Sequence, residues 1–135
     1  MPFVVYAMRH SPSGRFYIGS TEDLPRRVIQ WRRAFSRAPS WAGAGGWRPG
    51  LDMSRRVFET SANFAEYEFL TMEILADQAT ADDVALAENR AIVWAATVTP
   101  DRLLNSFAGT SRPGVQNYPS YRAKVPAAFR RSIAA

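Results

Sequence analysis

Two short β-prone runs, Val4-Val5-Tyr6 and Tyr17-Ile18-Gly19, stand on either side of a Ser11-Pro12-Ser13-Gly14 turn. Proline presets φ and glycine accepts a positive φ, so the chain reverses direction here. Phe3 to Met8 reads as the outgoing strand of a hairpin, Arg15 to Ile18 as the returning strand, with Gly19 ending it. The two tyrosines are eleven positions apart on paired strands. Their hydroxyls converge if both point to one face; otherwise they are ordinary amphipathic strand residues with wet hydroxyls. A helix must begin soon afterwards: Thr21 or Asp23 can cap its free N–H groups, and Pro25 is tolerated in a first turn. Leu24, Val28, Trp31 and Phe35 then recur at spacings of four, three and four as one core-facing stripe. Arg26, Arg27, Arg32 and Arg33 lie off that stripe.

Further along, the segment from Ala38 to Gly50 is rich in Gly, Pro and Trp, lacks periodicity, and reads as a loop insertion. Leu51 to Thr60 reads as a short helix with Leu51, Val57 and Phe58 as apolar contacts. Tyr67 to Leu75 reads as a third, largely buried central strand, with Leu70, Met72 and Ile74 on one face and Phe69 and Thr71 on the other. Thr80-Ala81-Asp82-Asp83 is a capping-box start for a helix running to about Ala96. Val84, Ala87, Ala91 and Trp94 form its stripe, with Glu88 and Ile92 beside it. Leu103-Leu104-Asn105 follows. The tail from Arg112 onward is basic and aromatic. The expected organisation is one domain over residues 1–110 and a basic aromatic extension over 111–135. The fold class is α+β: a small three-stranded antiparallel sheet flanked by helices.

Composition narrows the chemistry. Sixteen of the seventeen basic residues are Arg, against twelve acids, for a net charge of +5. The planar guanidinium fork suits phosphate. A polyanionic partner fits this balance, and so does a basic surface kept for solubility. There is no cysteine, and His10 is the sole histidine. Thiolate catalysis and Cys- or His-rich metal sites are therefore excluded, and any metal must be held by oxygen, which points to Mg²⁺ or Mn²⁺. No run of about eighteen apolar residues exists and no signal peptide is evident, so a cytoplasmic protein with no membrane segment is expected.

Hydrolysing a phosphodiester requires a group that orients and deprotonates water, a cation to offset charge on phosphate, and a metal at the leaving oxygen. Tyr6 and Tyr17 are candidates for the first task, since a phenol near a cation can give up its proton. Arg27 falls one turn past Asp23, close to the positive end of its helix, and is a candidate phosphate clamp, with Arg26 its direct competitor. Glu88 is the candidate metal ligand: it sits among Ala85, Leu86, Ala87, Ala91 and Ile92, where a carboxylate is costly without a cation. The bland alternative pairs Glu88 with Arg90. Asp82 and Asp83 look like caps; Glu66, Glu68 and Glu73 look like strand surface.

These motifs resemble the GIY-YIG nuclease family from about Phe3 to Asn105. Val4-Val5-Tyr6 stands where members have Gly-Ile-Tyr, Tyr17-Ile18-Gly19 is intact, and the following polar cap and arginine helix are similar. The resemblance implies one-metal hydrolysis of DNA leaving 5′-phosphate and 3′-hydroxyl ends. It implies Tyr6 and Tyr17 at water, Arg27 on phosphate, Glu88 on Mg²⁺ or Mn²⁺, and Asn105 supporting the site. Arg26, Arg32 and Arg33 on the helix, Arg48 in the insertion, and Arg130 and Arg131 in the tail are candidate nucleic-acid contacts. A homodimer, or two successive nicks, would serve to cut both strands. Many members carry a His one turn after the Arg; here that place is Trp31. A module that binds nucleic acid on the same fold with catalysis lost is the alternative. DNA over RNA rests on the resemblance alone.

Overall fold

The computed structural model describes residues 2–37 and 51–105, the side chains of 51–55 excepted. Strands β1 (Val4–His10) and β2 (Phe16–Thr21) form the hairpin, with Gly14 at φ 76° closing the turn. Helix α1 spans Leu24–Arg37, α2 spans Leu51–Thr60, and β3 (Tyr67–Ile74) follows a single 3₁₀ turn at Phe64–Glu66. Helix α3 spans Ala81–Val98. Its capping box is complete: the Thr80 side chain accepts from Asp83 N–H, and the Asp83 carboxylate accepts from Thr80 N–H. The α+β class and the three-stranded antiparallel sheet are as expected.

The strand order is β2-β1-β3, which corrects one expectation. β1 is the central strand; β3 pairs only with β1 among the described residues and lies at the edge. The even alternation expected for β3 also breaks. Val5 pairs with Glu73 but Tyr6 pairs with Thr71, so Met72 is an extra residue in a bulge. Past the bulge the facing reverses. Met72 is buried beside Leu70 against α3, whereas Ile74 pairs with Val4 and is 66% exposed. β2 likewise outruns its expected end. Gly19 does not stop the strand but sits inside it, opposite Tyr6, and pairing continues to Thr21.

The sheet has two cores. Val5, Ala7, Phe16, Ile18 and Met72 face Ala87, Ala91, Ile92, Trp94 and Ala95 of α3. On the other face Tyr6, Met8 and Tyr67 meet Trp31 and Phe35 of α1 and Val57 of α2, with Tyr17, Phe58, Phe64 and Phe69 packed beside them. At the far end of β1, buried His10 bonds the Ser13 hydroxyl (2.7 Å) and Glu66 Oε1 (2.8 Å), which also accepts from Ser61 (2.7 Å). Glu66 therefore belongs to the 3₁₀ turn and not to strand surface. Its bonds to His10 and Ser61 hold its pKa below the ordinary value. Glu68 is on the strand surface as expected, paired with Arg9 at 2.9 Å. No described helix is long and apolar enough to cross a membrane. The 38–50 insertion, its Arg48, and the 111–135 extension with Arg130 and Arg131 lie outside the described residues.

Candidate active site

The hairpin register puts Tyr6 opposite Gly19 and Tyr17 opposite Met8. The two tyrosines are thus diagonal neighbours on one face. Their rings meet edge to face, with centroids 6.2 Å apart. Glycine at position 19 is a steric requirement. A Cβ there would lie 2.8 Å from both Cζ and Oη of Tyr6, because the Tyr6 ring lies across the bare backbone. The intact glycine of the second motif thus serves the tyrosine of the first.

Tyr6 is fully buried and its hydroxyl is engaged. Trp31 Nε1–H donates to Tyr6 Oη at 3.0 Å, and the Arg27 guanidinium also hydrogen-bonds to it. Burial raises the Tyr6 pKa; the Trp31 bond and the Arg27 charge oppose that without overcoming it, and Glu88 adds to the rise. Tyr17 is only partly buried, and its ring stacks edgewise on Trp31 at 5.4 Å. Its pKa is also raised, first by burial of the phenol, then by Tyr6 and Glu88, with Arg27 opposing. Both phenols are therefore protonated at neutral pH, and releasing either proton requires an added positive charge nearby.

Arg27 bridges the layers. Its Nε donates to Gln30 Oε1 at 2.8 Å, and its Nη1 reaches the Ser20 carbonyl at 3.4 Å. The Ser20 hydroxyl in turn donates to Glu88 Oε2 at 3.1 Å. Ser20 thus links the arginine of one face to the carboxylate of the other around the edge of β2. A shallow cleft of about 180 Å³ opens beside Ser20 and Arg27, lined also by Phe3, Thr21, Glu22, Asp23, Arg26 and Gln30. One expectation about this corner changes. Asp23 Oδ1 accepts from Arg26 N–H at 3.1 Å, and Thr21 Oγ1 accepts from Asp23 N–H at 3.2 Å. The chain's own side chains occupy this helix end, so the cation for a phosphate here is the guanidinium and not the helix terminus. Arg26, Arg32 and Arg33 are exposed.

Asn105 joins the site through the backbone. Along its outer edge β2 offers the backbone groups of Phe16 and Ile18. Phe16 N–H donates to Arg102 O and its C=O accepts from Leu104 N–H, both at 2.8 Å. The Asn105 carboxamide then takes both groups of Ile18, accepting from N–H at 2.8 Å and donating to C=O at 2.9 Å. It acts as one further strand residue and fixes the backbone between Tyr17 and Gly19.

Among the described residues no three acidic or histidine side chains converge as a metal cage. Glu88 does fit a different mode of holding a cation. Mg²⁺ keeps most of its waters and commonly takes one or two carboxylates together with substrate phosphate. The structure brings Tyr6, Tyr17, Arg27 and Glu88 to one corner, with Asn105 holding the strand beneath them. The sequence reading missed Ser20, Gln30 and the Trp31 bond. Ser20 follows Gly19 directly, and strand alternation from Ile18 would have put it toward the α3 face, had β2 not been ended at Gly19, two residues short of Thr21. Comparison of the chain with family models, curated proteins and solved structures returns no match.

Proposed function

We propose that this protein is a metal-dependent endonuclease of the GIY-YIG type that hydrolyses DNA phosphodiester bonds in the cytoplasm. The observation that carries the reading is the meeting of Tyr6, Tyr17, Arg27 and Glu88 at one edge of the sheet, although Glu88 comes from the opposite layer. Arg27 would hold the scissile phosphate, with Gln30 and the Ser20 carbonyl fixing its guanidinium plane. A tyrosine hydroxyl would orient the attacking water; to accept that water's proton it must first lose its own to solvent, which an added positive charge nearby favours. Glu88 would hold Mg²⁺ or Mn²⁺, which when bound stabilises charge on the leaving oxygen. Exposed Arg26, Arg32 and Arg33 offer contacts to flanking phosphates.

The second reading is a nucleic-acid-binding module with catalysis lost. It is favoured by the two phenols, which rest protonated, and by an indole where many members of the GIY-YIG family carry a His. Supercoiled plasmid with Mg²⁺ or Mn²⁺, against EDTA and the Glu88→Ala protein, separates the two. The nuclease reading expects metal-dependent nicking that disappears in Glu88→Ala while the fold is retained. An unchanged rate in that variant would sink it. A salt-sensitive gel shift without cleavage selects the binding module.

A further inference from the structure

The two tyrosines stand in unlike positions, and the difference assigns them different tasks. Tyr6 is completely enclosed, its ring clamped between Gly19 and the aromatic layer and its oxygen bonded by Trp31 and Arg27. That oxygen is closed to solvent in this structure. Tyr17 lies one diagonal step away, partly exposed, and no hydrogen bond to its hydroxyl is found among the described residues. Trp31 touches both rings: it donates to Tyr6 and stacks on Tyr17. An indole N–H can only donate, and it cannot take up or release a proton in the neutral range. It therefore cannot relay protons for Tyr6; it can only hold that oxygen in place. Arg27 bonds the same oxygen, so fixing Tyr6 also fixes the guanidinium.

We propose that Trp31 is a positioning residue that locks Tyr6 as a buried anchor for Arg27, and that Tyr17 is the catalytic hydroxyl that meets the reacting water. This rests on the hydrolytic reading of the site. Trp31 then stands as a group that cannot titrate, and the task of meeting the water passes to Tyr17, which takes up the water's proton only as the phenolate, its own proton having left to solvent.

The test combines single-turnover cleavage with the NMR signal of the Trp31 indole N–H, assigned by its loss in Trp31→Phe. Tyr17→Phe is expected to lower the cleavage rate constant about 100-fold or more, the usual scale for a general base, with KM unchanged. Tyr6→Phe and Trp31→Phe are each expected to lower it only about tenfold, equivalent to one hydrogen bond's worth of barrier. The double variant should be no slower than the worse single one, because both remove the same bond. Tyr6→Phe should also move the indole proton signal upfield, a change that a folding defect alone does not mimic when the other amide signals stay in place. An indole signal unmoved in Tyr6→Phe overturns the lock. A larger rate loss in Tyr6→Phe than in Tyr17→Phe overturns the assignment of tasks. A wild-type protein that cuts no substrate overturns the nuclease reading instead, and the indole signal then judges the lock alone.

Discussion

The two faces of the sheet are built from different materials. Toward α3 the contacts are Val5, Ala7, Ile18, Met72, Ala87, Ala91 and Ile92, with Phe16 and Trp94 as the large fillers. Toward α1 and α2 most are rings, among them Tyr6, Tyr17, Trp31 and Tyr67 with a polar tip and Phe35, Phe58, Phe64 and Phe69 without one, with Met8, Val57 and Leu104 filling between them. Aliphatic groups bury area and leave nothing to react. Aromatic groups bury as much or more and still present a hydroxyl or an N–H at one end. One face can therefore be both a core and the floor of a site, provided each polar tip finds a partner. Glu88 is the one functional candidate from the aliphatic side, and it reaches the corner by way of Ser20.

If this division holds, changes on the two faces should separate stability from activity. Trp94→Ala, on the α3 side, is expected to cost about 3–5 kcal/mol. Denaturant unfolding would show that loss, and cleavage per folded molecule should stay the same. A rate constant that fell in the folded fraction would break the contrast. Asn105→Ala removes the partners of both Ile18 backbone groups. It is expected to cost about 2 kcal/mol and to slow cleavage as well, since the strand carrying Tyr17 loses its outer support. Gly19→Ala is expected to cost about 1–2 kcal/mol, because the Tyr6 ring must move off its 2.8 Å contact. Its rate loss should exceed that of Trp94→Ala despite the smaller change in stability.

Two pH dependences sharpen the same comparison and should be smaller. Burial pushes the Tyr67 phenol up to about 12, and its hydroxyl donates to the Val57 and Ser61 carbonyls, bonds that only the protonated phenol can make. A folded pKa above the unfolded value of about 10 gives stability that is complete below about pH 10 and is lost as pH rises toward 12. Tyr67→Phe should flatten the fall in the denaturation midpoint across that window. Asp83 behaves oppositely on the α3 side. Its bonds to the Thr80 backbone and side chain lower its pKa. Its contribution is present above the unfolded carboxylate value of about 4 and fades as pH drops below it. Asp83→Ala should remove that acid limb and leave the alkaline one untouched.

Much of this arrangement was legible in the chain. The turn residues, the α1 stripe through Trp31 and Phe35, and the Thr80–Asp83 box are local signals, and each appears where it was expected. The errors came where a distant partner decides. Gly19 reads as a stop because glycine is a poor strand residue; only the Tyr6 ring across the hairpin explains its place inside β2. Leu70, Met72 and Ile74 alternate cleanly, and nothing local announces the bulge that turns Ile74 outward. Trp31 read as a lost function because only its identity was visible, not the direction of its N–H. Asn105 was assigned a supporting role by resemblance, but a side chain that completes a strand edge has no sequence signature.

The bonds between Asn105 and Ile18 join residues 87 positions apart. During synthesis the hairpin, α1 and both tyrosines leave the ribosome long before the residue that braces them. A nascent chain ending short of Asn105 has a β2 edge with open N–H and C=O groups at Ile18, and the strand carrying Tyr17 is unbraced. Closing so long a loop is also among the slower contacts to form. Assembly of the corner is thus tied to the arrival of Asn105, so a partly made copy holds Tyr6, Tyr17 and Arg27 without the brace on the strand that aligns them.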